Sequence, residues 1–130
     1  MEVLSISTTK KKQIMDLTDK IEHLVTKRKE SGVCFLFIKH TTAALTTADL
    51  DPGTDLDMLD AFEAMMPKLP YRHPHNPSHV TDHILSSLIG SSIVIPVADG
   101  ELDLGTWQRV VLVELDGPRE REIILNFMKL

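Results

Sequence analysis

Residues 33–39 read VCFLFIK, and the polar run HTT follows directly at 40–42. A continuous apolar run of strand length predicts a β-strand in the centre of a sheet. The polarity changes abruptly at His40, where we expect the strand to end. A histidine at the end of a central strand often lines a pocket, and a hydrogen-bonded histidine at the edge of the core is the alternative.

Strand signals lie on both sides of this run. Residues 2–8 (EVLSIST) alternate apolar and polar side chains and predict a first strand, and residues 13–18 (QIMDLT) a second. Later strands are predicted in SIVIPV, GELDLG, TWQRVVLVELD and REIILNFMKL. Turn residues separate them at Asp99-Gly100 and at 116–119.

Helix signals lie between the early and late strands. The first helix is predicted in DKIEHLVTKRKES, with Thr18 as its N-cap and Gly32 at C′. The second begins at Asp55 and is stopped by Pro67. The third is capped by Ser78 or Thr81 and ends at Gly90. No repeated βαβ unit is present. This order predicts an α+β fold of residues 1–130 as a single domain, with a mainly antiparallel sheet and about three helices.

Composition excludes several classes of protein. The chain has 130 residues and a net charge of −5, and its basic runs at 10–12 and 27–29 are short, so we do not expect nucleic acid as a partner. No apolar run approaches the length of a membrane span, and the N-terminus lacks a signal-peptide pattern. The single Cys34 cannot form an internal disulfide and is interpreted as a small core residue, with a catalytic thiol as the alternative. A cytoplasmic protein without a membrane partner is expected.

Four of the six histidines lie within residues 73–83, HPHNPSHVTDH. His79 and His83 are four residues apart, so on a helix they share one face and could hold one divalent cation. A pair at the border of the helix with no function is the alternative. We expect Val80, Ile84 and Leu88 to form the buried stripe, and we interpret His75 as a loop residue.

Packing of this helix over the end of the VCFLFIK strand would bring separate histidines together. His40, His83 and one more histidine could then form a three-nitrogen metal site with an open position for water or an oxyanion. Glu114 and Asp49 are candidates for the carboxylate that supports such ligands.

Two turns near the C-terminus add candidate binding residues. Residues 104–108, LGTWQ, offer Trp107 as an aromatic wall and Gln108 as an amide, although Trp107 could instead belong to the core. The turn DGPR carries Arg119, whose guanidinium could bind phosphate, with an ordinary surface arginine as the alternative.

Together, four segments of the chain resemble the YjbQ-like family, also called secondary thiamine-phosphate synthases. They are HTTAALT at 40–46, DHILSSLIGSSIVIPV at 82–97, LGTWQ at 104–108 and ELDGPREREI at 114–123. The resemblance implies an α+β fold assembled as a homotrimer, with a histidine-lined site near the subunit boundary. It also implies an activity that joins a hydroxymethylpyrimidine diphosphate to a thiazole phosphate with loss of pyrophosphate.

The resemblance extends to individual residues. His40 matches the histidine that opens the family's HTT motif, His83 matches the one before a family helix, and His73 matches one that follows a tyrosine. Matching positions elsewhere are Thr106, Trp107, Gln108, Glu114 and Arg119. The chain departs from the family pattern at Ala48-Asp49, His79 and Leu85.

We therefore expect an enzyme that acts on a small phosphorylated substrate. The predicted catalytic residues are His40, His83, Glu114 and Arg119. The predicted substrate- or anion-binding residues are Thr41, Thr42, Thr106, Trp107, Gln108 and Arg119. Zinc or magnesium would be held by His40, His73 and His83, with His79 as a further possible ligand. The alternatives are a trimeric anion- or metal-binding module without turnover and a metal-dependent hydrolase.

Overall fold

The computed structural model describes residues 1–74 and 76–130. Its helices and strands are β1 (Glu2–Ser7), β2 (Gln13–Asp16), α1 (Thr18–Thr26), β3 (Gly32–Ile38), β4 (Ala43–Ala48), α2 (Thr54–Met65), a 3-10 turn (Pro77–His79), α3 (Val80–Ile89), β5 (Ser92–Ala98), β6 (Glu101–Leu102), β7 (Arg109–Glu114) and β8 (Glu120–Lys129). The interpretation of His75 as a loop residue falls outside the described residues. Within them, no helix is long and apolar enough to cross a membrane.

The strands pair antiparallel, as predicted, and they form two sheets. One has the order β1-β8-β3-β5-β6 and the other the order β2-β7-β4. The apolar run that begins at Val33 is the central strand of the larger sheet, where Cys34 pairs with Ile95 on β5 and with Phe127 on β8. The single-domain α+β fold is therefore confirmed.

The smaller sheet lies between two layers and is buried on both faces. Successive residues of β7 point to opposite sides, so Val110 and Leu112 pack against the larger sheet and α1, while Val111 and Val113 pack against α2 and α3. The resulting order of layers is the five-stranded sheet, the three-stranded sheet, and a layer formed by α2 and α3. The candidate site residues described below lie where β3 and β7 end and where α3 begins.

The sequence-based prediction missed β4. Residues 43–48, AALTTA, contain little of the apolar alternation that marks a strand, and their pairing with β7 determines their conformation. The first helix also ends earlier than predicted, at Thr26. Gly32 is not a helix cap but part of β3, where an added Cβ would lie 2.1 Å from the Met128 carbonyl oxygen.

The buried face of α3 also differs from the prediction. Leu88, expected in the apolar stripe, is 69% exposed, whereas Asp82, Leu85 and Ser86 are buried. The Ser86 hydroxyl donates a 2.7 Å hydrogen bond to the Ala43 carbonyl of β4, which satisfies both groups in the interior. Hydrophobic periodicity could not reveal this face, because two of its three buried residues are polar.

Candidate functional site

An open cavity lies between the C-terminal end of β3, the N-terminal end of α3 and the turn that joins β7 to β8. Its volume is about 680 Å³. It is lined by polar residues throughout: Lys39, His40, Thr41, Thr42, His79, His83, Asp116, Arg119, Glu120 and Arg121. We call it the histidine cavity. The packing of α3 beside β4 places His83 in the same lining as His40, which is the arrangement that the sequence analysis required for a shared site.

A buried ion pair supports one wall of the histidine cavity. Arg121 is only 2% exposed and Glu114 is fully buried. The Arg121 Nε lies 2.9 Å from Oε1 of Glu114, and its terminal nitrogen contacts the other carboxylate oxygen. That nitrogen also donates to the hydroxyl and the carbonyl of Thr42, at 2.9 and 3.1 Å. The pair fixes a positive charge beside the HTT segment.

Glu114 is a positioning residue in this arrangement. Its two oxygens accept from Thr8, from Arg121 and from the backbone N–H groups of Leu115 and Asp116. Burial by itself would raise the pKa of Glu114, but the hydrogen bonds from Arg121, Thr8 and the Asp116 backbone outweigh it, and the pKa lies below its ordinary value. Glu114 is therefore ionised, and all of its lone pairs are occupied.

His40 is held in one neutral form. Its Nε2 accepts a 2.9 Å hydrogen bond from the backbone N–H of Glu122, so in the neutral ring the proton is on Nδ1. Partial burial and then the positive charge of Arg121 lower the pKa of His40 below its ordinary value. At neutral pH, His40 is therefore an uncharged imidazole whose Nδ1–H can donate a hydrogen bond.

His83 has the opposite arrangement. Its Nδ1 lies 3.1 Å from the Thr41 carbonyl oxygen, which can only accept, so in the neutral ring Nδ1 carries the proton and Nε2 is an acceptor. The ring of His73 stacks on His83, with centroids 5.2 Å apart and an angle of 24° between the rings. His40 and His83 thus offer a donor and an acceptor, respectively.

The Asp116 carboxylate pairs with two further positively charged side chains, those of Lys11 and Arg119. It accepts from Lys11 at 3.0 Å and from Arg119 at 3.1 Å, and His79 Nδ1 lies 3.9 Å away. Burial by itself would raise the pKa of Asp116, but the bonds from Lys11 and Arg119 outweigh it and lower the pKa. Arg119 also donates from Nε to the Asp116 carbonyl at 2.8 Å, which holds the guanidinium at the cavity.

The predicted metal ligands do not converge in this structure. Two nearly parallel rings such as His73 and His83 carry their lone pairs in separate planes, so these lone pairs cannot meet at one ion about 2 Å from each. His40 already uses Nε2 as an acceptor. Within residues 1–74 and 76–130, no three His, Cys, Asp or Glu side chains are placed to hold a metal. The zinc or magnesium site stays a prediction.

The TWQ residues lie far from the histidine cavity. β7 runs from Arg109 to Glu114, so the turn at 106–108 is at the opposite end of that strand, roughly 17 Å away at 3.4 Å per residue. Gln108 fixes the turn, because its Oε1 accepts from the Gly105 N–H and its Nε2 donates to Thr47, both at 3.0 Å. Trp107 is 72% exposed and is not a core residue.

Sequence reasoning overlooked Arg121 as an individual functional residue. A signal was present, since Arg121, Ile123 and Leu125 alternate along β8 and therefore share its inward face. A charged residue on such a face requires a buried partner. Cys34, in contrast, is the core residue that was predicted, and burial raises the pKa of its thiol to about 11.

Comparison with known proteins identifies the family. The model of the family described as "UPF0047 protein YjbQ-like" matches residues 2–130. The chain belongs to the YjbQ-like family. A UPF0047 protein of Archaeoglobus fulgidus is 37% identical over 124 residues, which is 95% of this chain and 97% of that protein. The UPF0047 protein YugU of Bacillus subtilis is 33% identical, and the match covers 98% of this chain and 98% of that protein.

Solved structures of YjbQ-like proteins have the same fold. A YbjQ-like protein of unknown function from Sulfolobus solfataricus matches with a TM-score of 0.90 and 32% identity, over 99% of this chain and 96% of that one. An uncharacterized conserved protein of the family from Clostridium acetobutylicum matches with a TM-score of 0.89 and 33% identity, over 98% of this chain and all of that one. The family and the fold are thus established together.

Proposed function

We propose that this YjbQ-like protein is an enzyme that acts on phosphorylated small molecules in the histidine cavity. The supporting observation is the convergence of an uncharged His40, the guanidinium of Arg119 and the buried Arg121 on one polar cavity. Phosphate oxygens prefer guanidinium groups and N–H donors of this kind. The family resemblance adds a specific reaction, the synthesis of thiamine phosphate.

The geometry suits departure of pyrophosphate. In that reaction the C–O bond to the diphosphate breaks, its electron pair leaves with pyrophosphate, and the thiazole nitrogen forms the new C–N bond. Arg119 and Arg121 would stabilise the negative charge that develops on the leaving group, and His40 would donate its Nδ1–H to a phosphate oxygen. His83, with Nε2 as an acceptor, would orient a hydroxyl or amino group of the substrate.

The test is an assay with the two precursors, a hydroxymethylpyrimidine diphosphate and a thiazole phosphate. It is run under three conditions: with added magnesium, with added zinc, and with a chelator. We expect thiamine phosphate to form, and we expect Arg119→Gln to reduce its rate by about 100-fold. Arg28→Gln is the matched control, because Arg28 stacks on Phe127 and does not line the cavity. Absence of product under all three conditions would reject the synthase.

An anion-binding protein without turnover is a second candidate. It is favoured by the state of the carboxylates, because every oxygen of Glu114 is occupied and Asp116 is paired with Lys11 and Arg119. Neither is available as a general base. Calorimetric binding of pyrophosphate without product formation would support this candidate, whereas zinc-dependent release of phosphate from one precursor alone would support a hydrolase.

We further propose a homotrimer in which the outer face of the five-stranded sheet is covered. Neighbouring strands place apolar side chains on that face, among them Val3, Val33, Phe35, Phe37, Val94, Ile124 and Met128. Val3 and Val94 are both 59% exposed in the single chain. Contiguous exposed apolar surface marks an interface. Light scattering should give three times the chain mass, and Val94→Lys should reduce it to that of one chain.

A further inference from the structure

A second cavity lies on the other side of α3, between that helix, α2 and the segment that joins them. Its volume is about 540 Å³, which suits a small organic molecule. Among the described residues, its lining and that of the histidine cavity have no member in common. We call it the apolar cavity. It is a separate site, and nothing in the proposed reaction uses it.

Its walls are hydrophobic and held in place. The apolar lining residues are Leu59, Phe62, Met66, Pro67, Leu69, Pro77, Leu85 and Leu115. Most of the helix residues among them belong to the core cluster between the smaller sheet and the helices. The Tyr71 hydroxyl donates to the Pro67 carbonyl, which closes the segment after α2 into a turn. An apolar ligand would therefore enter a preformed cavity at little cost in ordering the protein.

Two ammonium groups of the lining are candidates for binding an anion. Of its three lysines, Lys11 is already paired with Asp116 at 3.0 Å, which leaves Lys12 and Lys68.

The ammonium groups also have donors to spare. Lys12 donates to Asp82 at 2.8 Å and to the Leu115 carbonyl at 3.1 Å, which leaves one of its three N–H groups. Among the described residues Lys68 makes no ion pair. A single carboxylate could accept from the remaining N–H of Lys12 and from Lys68, whereas a diphosphate would bring more negative charge than these two groups neutralise.

We propose that the apolar cavity binds a small organic acid, a molecule with one carboxylate and an aromatic or branched hydrocarbon body. The body packs between α2 and α3 against Phe62 and Leu85. The carboxylate pairs with the ammonium groups of Lys12 and Lys68 at the cavity's edge.

The test uses three compounds of one shape and different charge: phenylacetate, phenylacetamide and phenethylamine. Binding is measured by titration of the full-length protein, followed through the backbone amide signals in NMR spectra. We expect phenylacetate to bind about tenfold more tightly than the amide, because of the charged hydrogen bond, and the amine to bind more weakly still. The shifted signals should come from residues 59–71 and 77–85, while the Trp107 indole signal stays in place.

Two variants make the result specific. Thr81→Phe fills the cavity and should abolish binding of all three compounds, and Lys68→Gln should reduce the preference for the acid at least threefold. Lys27→Gln is the matched control, since Lys27 is exposed at the end of α1. The proposal is overturned if no compound binds, if acid and amide bind equally, or if Thr81→Phe leaves the affinity unchanged. If Thr81→Phe changes the mass of the assembly in solution, the cavity is instead occupied by a second copy of the chain.

Discussion

The histidine cavity and the apolar cavity flank the same helix, α3, but their walls are held by different interactions. The histidine cavity depends on buried polar contacts, with Arg121 fixed by Glu114 and by Thr42. The apolar cavity depends on packing of Leu85 and Phe62 in a hydrophobic cluster. Polar contacts are directional, so they fix where charges lie, whereas packing fixes mainly volume. The first arrangement suits chemistry on a charged group, and the second suits recognition of shape.

The largest effect should come from removing the charge on Glu114. In Glu114→Gln the guanidinium of Arg121 remains buried without a counter-ion, which should cost about 3–5 kcal/mol in free energy of unfolding. Urea denaturation measures this loss, and pyrophosphate binding should disappear. Glu120→Gln is the control, because Glu120 lines the same cavity but is exposed.

A double replacement separates stability from function in the histidine cavity. Glu114→Leu with Arg121→Met removes both charges and should recover most of the stability that Glu114→Gln loses. Pyrophosphate binding should stay lost, because the fixed positive charge is gone. A double variant that still binds pyrophosphate would show that the buried pair has no part in the site.

Lys12→Met should affect both cavities, because Lys12, which directly precedes β2, is paired with Asp82 on α3, and α3 lies between the cavities. The substitution leaves a buried carboxylate unpaired and should cost about 2 kcal/mol, less than a fully buried pair because Lys12 is partly exposed to solvent. Both pyrophosphate and phenylacetate should bind more weakly. If only phenylacetate binding weakens, α3 does not link the two cavities. Lys129→Met, which removes an exposed ion pair with Glu30, is the control.

The pH dependence should distinguish the cavities further. The pKa of His40 is lowered in the folded protein, so the unfolded chain binds the proton first as the pH falls. Stability should therefore decrease as the pH drops through the ordinary range of histidine, and His40→Gln should flatten this part of the profile. Thermal unfolding at several pH values measures the effect. Phenylacetate binding should be unchanged between pH 6 and 8, because no histidine is among the described residues that line the apolar cavity.

The smallest effect within one chain should come from Trp107→Ala. Trp107 is exposed at the far end of β7, so we expect the free energy of unfolding to change by less than about 0.5 kcal/mol. Pyrophosphate binding should stay the same if one chain forms the whole site. Lost binding would instead indicate that Trp107 reaches the histidine cavity of a neighbouring copy.

Much of the histidine cavity was predictable because its residues lie at the ends of elements with clear patterns. His40 follows an apolar strand, and Arg119 lies in a turn of Gly and Pro, so both were identified before their contacts were known. His73 was named only from its match to a family histidine, and the structure stacks its ring on that of His83. The directions in which the ring nitrogens of His73 and His83 point were not predictable. They depend on hydrogen bonds between the Asn76 backbone N–H and His73 and between His83 and the Thr41 carbonyl.

The sequence by itself determined the α+β class, the central position of VCFLFIK and the segments that carry the functional groups. These depend on local periodicity and on turn residues, which act over a few positions. Only the tertiary structure decided that AALTTA is a strand, that α3 buries Asp82 and Ser86, and that Arg121 pairs with Glu114 beside His40. Each of these depends on a partner distant in the chain, which supplies a hydrogen bond or an opposite charge that no local pattern contains.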